Sequence, residues 1–135
     1  FLMIRRRPRS TPCGTLFPYT TLFRSGACKQ YIPELIDNGI DVLNPVQISA
    51  ADMEPVNLKA RFGDKLSFWG GGIDAQHILP HGTPEQVREE VRKNLEAFKP
   101  GGGYVFNNVH NIQFGVPAEN IVALYDAAYE FGFYA

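Results

Sequence analysis

KLSFWGGGIDAQHILPHGTPEQVREEVRKNLEAF, residues 65–98, decides the fold, because it joins a strand, a glycine-rich loop and a well-capped helix in one run. Lys65 to Trp69 is a short apolar and aromatic stretch that suits a strand and runs into Gly70-Gly71-Gly72. Thr83-Pro84-Glu85-Gln86 has the form of a capping box, with Thr83 as cap, Pro84 in the first helical position and Gln86 reaching back. Val87, Val91, Leu95 and Phe98 then mark one face over four turns, and Glu89 is spaced to pair with Lys93 on the other. Pro100 and three glycines end that helix. The run is a β-loop-α unit.

The same unit recurs on both sides. Upstream, Tyr31 to Asn38 has Ile32, Leu35 and Ile36 on one side of a helix, with Gly39 where a left-handed cap belongs. Asp41 to Val46 reads as a buried strand that ends at Asn44, since Pro45 cannot donate to a ladder. Met53 to Phe62 is a helix with Pro55 in its first turn, Leu58 and Phe62 inward, and Gly63 as its stop. Downstream, Tyr104 to Asn107 is a third strand. Pro117 opens a last helix with Ile121, Leu124, Ala128 and Phe131 inside and Gly132 at its end. Strands separated by helices imply a parallel sheet with helices over its outer face. Three strands cannot close a barrel, and left open they expose edges, so the pattern reads as part of an α/β domain.

Residues 1–25 stand apart from this pattern. TLFPYTTLFRS, residues 15–25, resembles the conceptual translation of a sequencing adapter, with Arg7 and Pro12-Cys13-Gly14 departing from its commonest form. The expectation is a non-native, disordered segment, with the natural sequence starting near Gly26. Five of the 13 basic residues (Arg5, Arg6, Arg7, Arg9 and Arg24) lie there without an acid, which leaves 8 basic against 14 acidic groups, a formal charge of −6. A basic arm for nucleic acid or anionic lipid and an Arg-rich transit peptide are the functional readings of those arginines, whereas the acidic remainder offers no polyanion-binding stripe. Cys28 is then the single native cysteine, which fits a reducing, cytoplasmic setting. No apolar run approaches the ~18 residues that cross a bilayer.

Parallel α/β sheets place their sites on the loops beyond the strand C-termini. Polar residues crowd those loops here. Asn44 and Gln47 follow the first strand; Gly70 to Gly72, Asp74, Gln76, His77 and His81 follow the second; Asn107, Asn108, His110, Asn111 and Gln113 follow the third. The glycines lack a GKS/T or GxGxxG context, so close approach of backbone to a bulky ligand, or a tight turn, explains them better than a phosphate cradle. Asp74 either meets a ligand donor or satisfies nearby backbone amides. His77 and His81 have metal spacing only on a helix, and Pro80 and Gly82 argue for loop. Cys28 near a helix start, with no adjacent histidine, reads as inert.

YIPELIDNGIDVLNPVQ, FWGGGIDAQHILPHGTPEQVREEV and GGGYVFNNVHNIQ, followed by VPAENIVALYDAA, resemble the C-terminal third of the uroporphyrinogen decarboxylase family, which includes corrinoid-dependent methyltransferases. The resemblance implies the last part of a (β/α)8 barrel, with a cleft for a tetrapyrrole-type ligand. For the decarboxylases it implies loss of CO2 from uroporphyrinogen acetate side chains, in porphyrin biosynthesis, with no cofactor. A supporting aspartate would come from an early strand outside this chain. His110 takes the position of the substrate-contacting histidine, and Asp74, Gln47, Gln76, Asn107, Gly71 and Gly72 fall where the ligand would be met. Imidazole exchanges protons near neutral pH, which suits His110 to shuttle a proton or orient a carboxylate.

For the methyltransferases the resemblance implies a zinc site that activates an acceptor thiol, a corrinoid substrate and a corrinoid-protein partner. The histidine position is then usually a cysteine, joined by an upstream His-x-Cys that would end just before Gly26; Cys28 is not its equivalent. His110 is decarboxylase-like, yet a histidine also ligates zinc, so His110 is the candidate zinc ligand of this alternative; Gly71-Gly72-Ile73-Asp74 replaces the more usual Gly-Asn-Leu-Asp of the decarboxylases. A homodimer of the full-length parent is also compatible. A reading of another class is that the truncated chain is inactive and associates through its open edges.

Overall fold

The computed structural model describes residues 26–134 and the backbone of 21–23. Four parallel strands form one sheet in the order β1-β2-β3-β4: β1 is Thr21–Phe23, β2 Val42–Val46, β3 Ser67–Gly70 and β4 Tyr104–Val105. Between and after them come a 3-10 turn at Lys29–Tyr31 and five helices. These are α1 Ile32–Asp37, α2 Pro55–Phe62, α3 Ile78–His81, α4 Pro84–Phe98 and α5 Ala118–Phe131. The parallel α/β reading is met, and β1 adds a strand to the three expected. β1 falls inside the segment read as disordered, so that expectation gives way at Thr21–Phe23; residues 1–20, 24 and 25 lie outside the described residues.

Helix α4 forms where its signals place it. Thr83 Oγ1 accepts from the Gln86 amide at 3.3 Å, and Gln86 Oε1 accepts from the Thr83 amide at 2.8 Å. Val87, Val91, Leu95 and Phe98 are all buried, as their spacing requires. On the outer face Glu89 pairs with Arg92 at 2.7 Å, not with Lys93, and Arg92 also reaches Glu96 at 3.3 Å. The guanidinium fork serves two carboxylates at once, which a single ammonium does less well.

Register and aromatic packing identify the two faces of the sheet. Phe68 and Tyr104 are partners on adjacent strands, and both pack on Phe98, with ring centroids 5.3 Å and 4.7 Å away. That face is the helix-covered core. Truncating Phe98 to alanine would cost about 3–5 kcal/mol. Alternation sends Trp69 to the opposite face, where it is 37% exposed.

Two expectations need correcting. β2 does not end at Asn44; it continues through a cis Asn44–Pro45 peptide to Val46. The ladder to β3 is irregular between Leu43 and Val46, so Pro45 sits where a missing N–H breaks no regular pairing. On α5 the buried residues are Asn120, Ala123, Leu124 and Ala127, with Ile121, Ala128 and Phe131 only half-buried. The helix is turned because Asn120 Nδ2 donates to the carbonyls of Leu79 (2.9 Å) and Gly82 (2.8 Å). Ala123 and Ala127 let its backbone approach α4 closely. The chain end is fastened at the opposite side: Lys99 Nζ donates to the carbonyls of Phe131 (2.7 Å) and Phe133 (2.5 Å).

Candidate functional site

The loops after β2, β3 and β4 meet at the C-terminal edge of the sheet. The Gly72 amide donates to the Asn107 carbonyl at 2.8 Å, which extends the β3–β4 pairing into the loops. Gly72 must be glycine there, because a Cβ would run into the Phe106 ring and come within 2.8 Å of the Asn107 oxygen. Gly70 has a φ of 104°, and a Cβ there would stand 3.0 Å from the Val46 amide nitrogen and 3.5 Å from the Asn108 oxygen. The glycines thus let backbone approach backbone across three loops, the tight-packing use of the run.

Hydrogen bonds gather the candidate residues into two groups. In the first, Gln47 Nε2 lies 3.5 Å from Ser49 Oγ, which donates to Gln76 Oε1 at 3.1 Å. Asp74 adjoins this group and is largely occupied. Its Oδ1 accepts from the amides of Gln76 (2.8 Å) and His77 (3.2 Å), and its Oδ2 lies 2.8 Å from His77 Nδ1. Burial raises the Asp74 pKa, but the hydrogen bonds from the His77 ring and the two amides outweigh it and leave the carboxyl below its usual range. In the second group, Asn108 Nδ2 donates to the His110 carbonyl, and Gln113 Nε2 lies 3.4 Å from His110 Nδ1. His110 and Asn107 are exposed. Asp74 and His110 do not hydrogen-bond each other.

Side chains outside the sequence reading hold these loops. Asn94 of α4 donates to the Gly72 carbonyl at 3.2 Å, and Glu90 Oε1 accepts from the Asp74 amide at 3.3 Å. Ser49 links two loops, and Asn120 anchors the α3 turn. For Asn94 and Asn120 the signal was available: each is an amide set within or beside an apolar helical stripe.

The segment carrying His77 and His81 is not loop, since Ile78–His81 forms one helical turn capped by His77. His77 Nδ1 is nevertheless engaged by Asp74. Among the described residues no three His, Cys, Asp or Glu side chains cluster as a metal set. His110 has only Gln113 against its Nδ1, so these residues do not by themselves compose a zinc site. Cys28 is buried 4.0 Å from the Met53 sulfur. Among the described residues no helix is long and apolar enough to cross a membrane.

The model of the family described as Uroporphyrinogen decarboxylase (URO-D) matches residues 13–131. The chain belongs to the uroporphyrinogen decarboxylase family. Proteins named uroporphyrinogen decarboxylase from Psychromonas ingrahamii and Pseudoalteromonas translucida are 32% and 35% identical to it, each over 87% of this chain. One from Methylococcus capsulatus is 28% identical over 95% of the chain. The chain spans 30%, 31% and 34% of these three relatives' lengths. Its open parallel sheet is accordingly one part of the family's (β/α)8 barrel. The family match overlaps the adapter-like stretch from residue 13 onward.

Proposed function

We propose that this chain is the C-terminal part of a uroporphyrinogen decarboxylase, and that its three converging loops form one wall of a tetrapyrrole site. The observation that carries this reading is the Gly72–Asn107 backbone bridge, which gathers the polar residues beyond β3 and β4 at one edge. In the parent, an acetate carboxylate leaves as CO2 from a pyrrole ring protonated at carbon, and no cofactor takes part. His110 moves a proton or holds a substrate carboxylate. Gln47, Gln76 and Asn107 contact the ligand through neutral amides, and Gly71 and Gly72 let the loops pack closely enough to form its wall. Asp74 shapes the β3 loop and offers the ligand whatever of its carboxylate His77 leaves free.

Residues 47–54, 71–83 and 106–117 contain no lysine or arginine. A polycarboxylate ligand is held most strongly by cationic forks, so the charge partners belong to other parts of the parent. Residues 1–25 are, on this reading, adapter-derived; genomic sequence upstream of Gly26 tests that directly.

Trp69, the sole tryptophan, stands at the end of β3 and provides a reporter. Titration of the chain with uroporphyrin is expected to quench its fluorescence saturably; a purely linear, unsaturable decrease would count against the site. In a protein with the upstream residues restored, uroporphyrinogen is converted to coproporphyrinogen, and His110→Ala lowers kcat about 10²-fold or more. Unchanged kcat would remove His110 from the proton-transfer role.

A further inference from the structure

Glu90 and Asn94 sit four residues apart on α4 and therefore share a face. Asn94 is 4% exposed and grips the Gly72 carbonyl; Glu90 is half-buried and accepts from the Asp74 amide. The two side chains hold opposite ends of a three-residue segment whose middle, Ile73, is fully buried. Apolar residues at 90 and 94 would leave the Gly72 carbonyl and the Asp74 N–H without these partners. We propose that Glu90 and Asn94 are paired positioning residues that fix the Gly72–Ile73–Asp74 segment against the ligand face. The proposal deepens the tetrapyrrole-site reading and rests on it.

The chemistry of Glu90 gives the pair a pH dependence. Burial is the largest cause raising its pKa, and the Asp74 charge adds to it; the hydrogen bond from the Asp74 amide and the Lys93 charge oppose. Those are the charged groups that face it, Asp74 from the β3 loop and Lys93 from α4. Among the described residues Glu90 Oε2 is buried with no hydrogen-bond partner, so its charged form is poorly solvated. A carboxyl with a raised folded pKa stabilises fully below its unfolded value and loses that contribution as pH rises through the folded one. Ionisation strengthens the bond from the Asp74 N–H while the buried charge costs stability; Glu90→Gln keeps the acceptor Oε1 without the charge.

Amide hydrogen exchange on the full chain tests the grip. Glu90→Met should speed exchange at Asp74 by about tenfold, the value of one hydrogen bond, while Val91 and Leu95 stay protected. Glu90→Gln should retain protection at Asp74, because its Oε1 still accepts the amide proton. Equal exchange at Asp74 in the Met and Gln variants would overturn the grip. If Glu90→Met does not fold, Glu90→Ala takes its place, and equal exchange at Asp74 in the Ala and Gln variants overturns the grip. Uroporphyrin affinity, read from Trp69, should fall several-fold in Glu90→Met and Asn94→Leu and recover in Glu90→Gln. Faster exchange with unchanged affinity would overturn the positioning role. Absence of uroporphyrin binding by the wild-type chain, with the exchange pattern intact, would sink the site reading and leave the grip standing.

Discussion

The two ends of the sheet are held by different means. Where helices turn back into strands, much of the closure is local, with the Lys59 Nζ bond to the Gly102 carbonyl as a distant tie. Asn38 Nδ2 donates to the Glu34 carbonyl (2.8 Å), the Gly63 amide to Lys59 (2.9 Å) and the Gly102 amide to Lys99 (2.9 Å). At the other end, support comes from far along the chain: Asn94 to Gly72, Asn120 to Leu79 and Gly82, and Gly72 to Asn107. Loops supported at a distance can be long and polar without unravelling the helices that follow them. That is the arrangement a site needs, because its contact residues stay free while a few buried anchors set the backbone.

This contrast is open to test, and the largest effects should fall at the site end. Gly72→Ala drives a methyl against Phe106 and the Asn107 oxygen, and should cost about 3 kcal/mol in denaturant unfolding. A cost near zero would mean that the loops do not bear on each other. Asn120→Ala strips two carbonyls of their donor and should cost about 2 kcal/mol by the same measurement. Asn38→Ala removes a local bond to the Glu34 carbonyl and should cost about 0.5 kcal/mol. If Asn38→Ala proves the costlier of the last two, local closure dominates and the comparison fails.

The smallest expected change is one of pH. The depressed Asp74 pKa means its stabilisation is present above the ordinary value of 3.8 and is lost as pH falls through the folded value. Gln76 and His77 amides should therefore lose protection in acid, and Asp74→Asn should abolish that dependence.

The same division explains what could be read from residues alone. The capping box at Thr83, the stop at Phe98 and the apolar stripe between them are local signals, and α4 follows them to the residue. The working edge was legible as a crowd of polar residues after each strand. Its wiring was not, because Ser49, Glu90 and Asn94 acquire partners 16 to 27 positions away, and no periodicity announces such pairs. Asn120 misled in a related way: an apolar stripe gave the helix, but two distant carbonyls chose which side went inward. β2 continued through Pro45 because a proline stops a strand only where its N–H is needed.

Lys99 ties the final turn of α5 and the residues after it to the foot of α4 through a single ammonium. An amine-directed reagent that acetylates this lysine would remove the charge and leave one N–H where two carbonyls are now held. The last turn of α5 and Phe133 are thereby held by a chemically addressable clasp, sensitive to acylation.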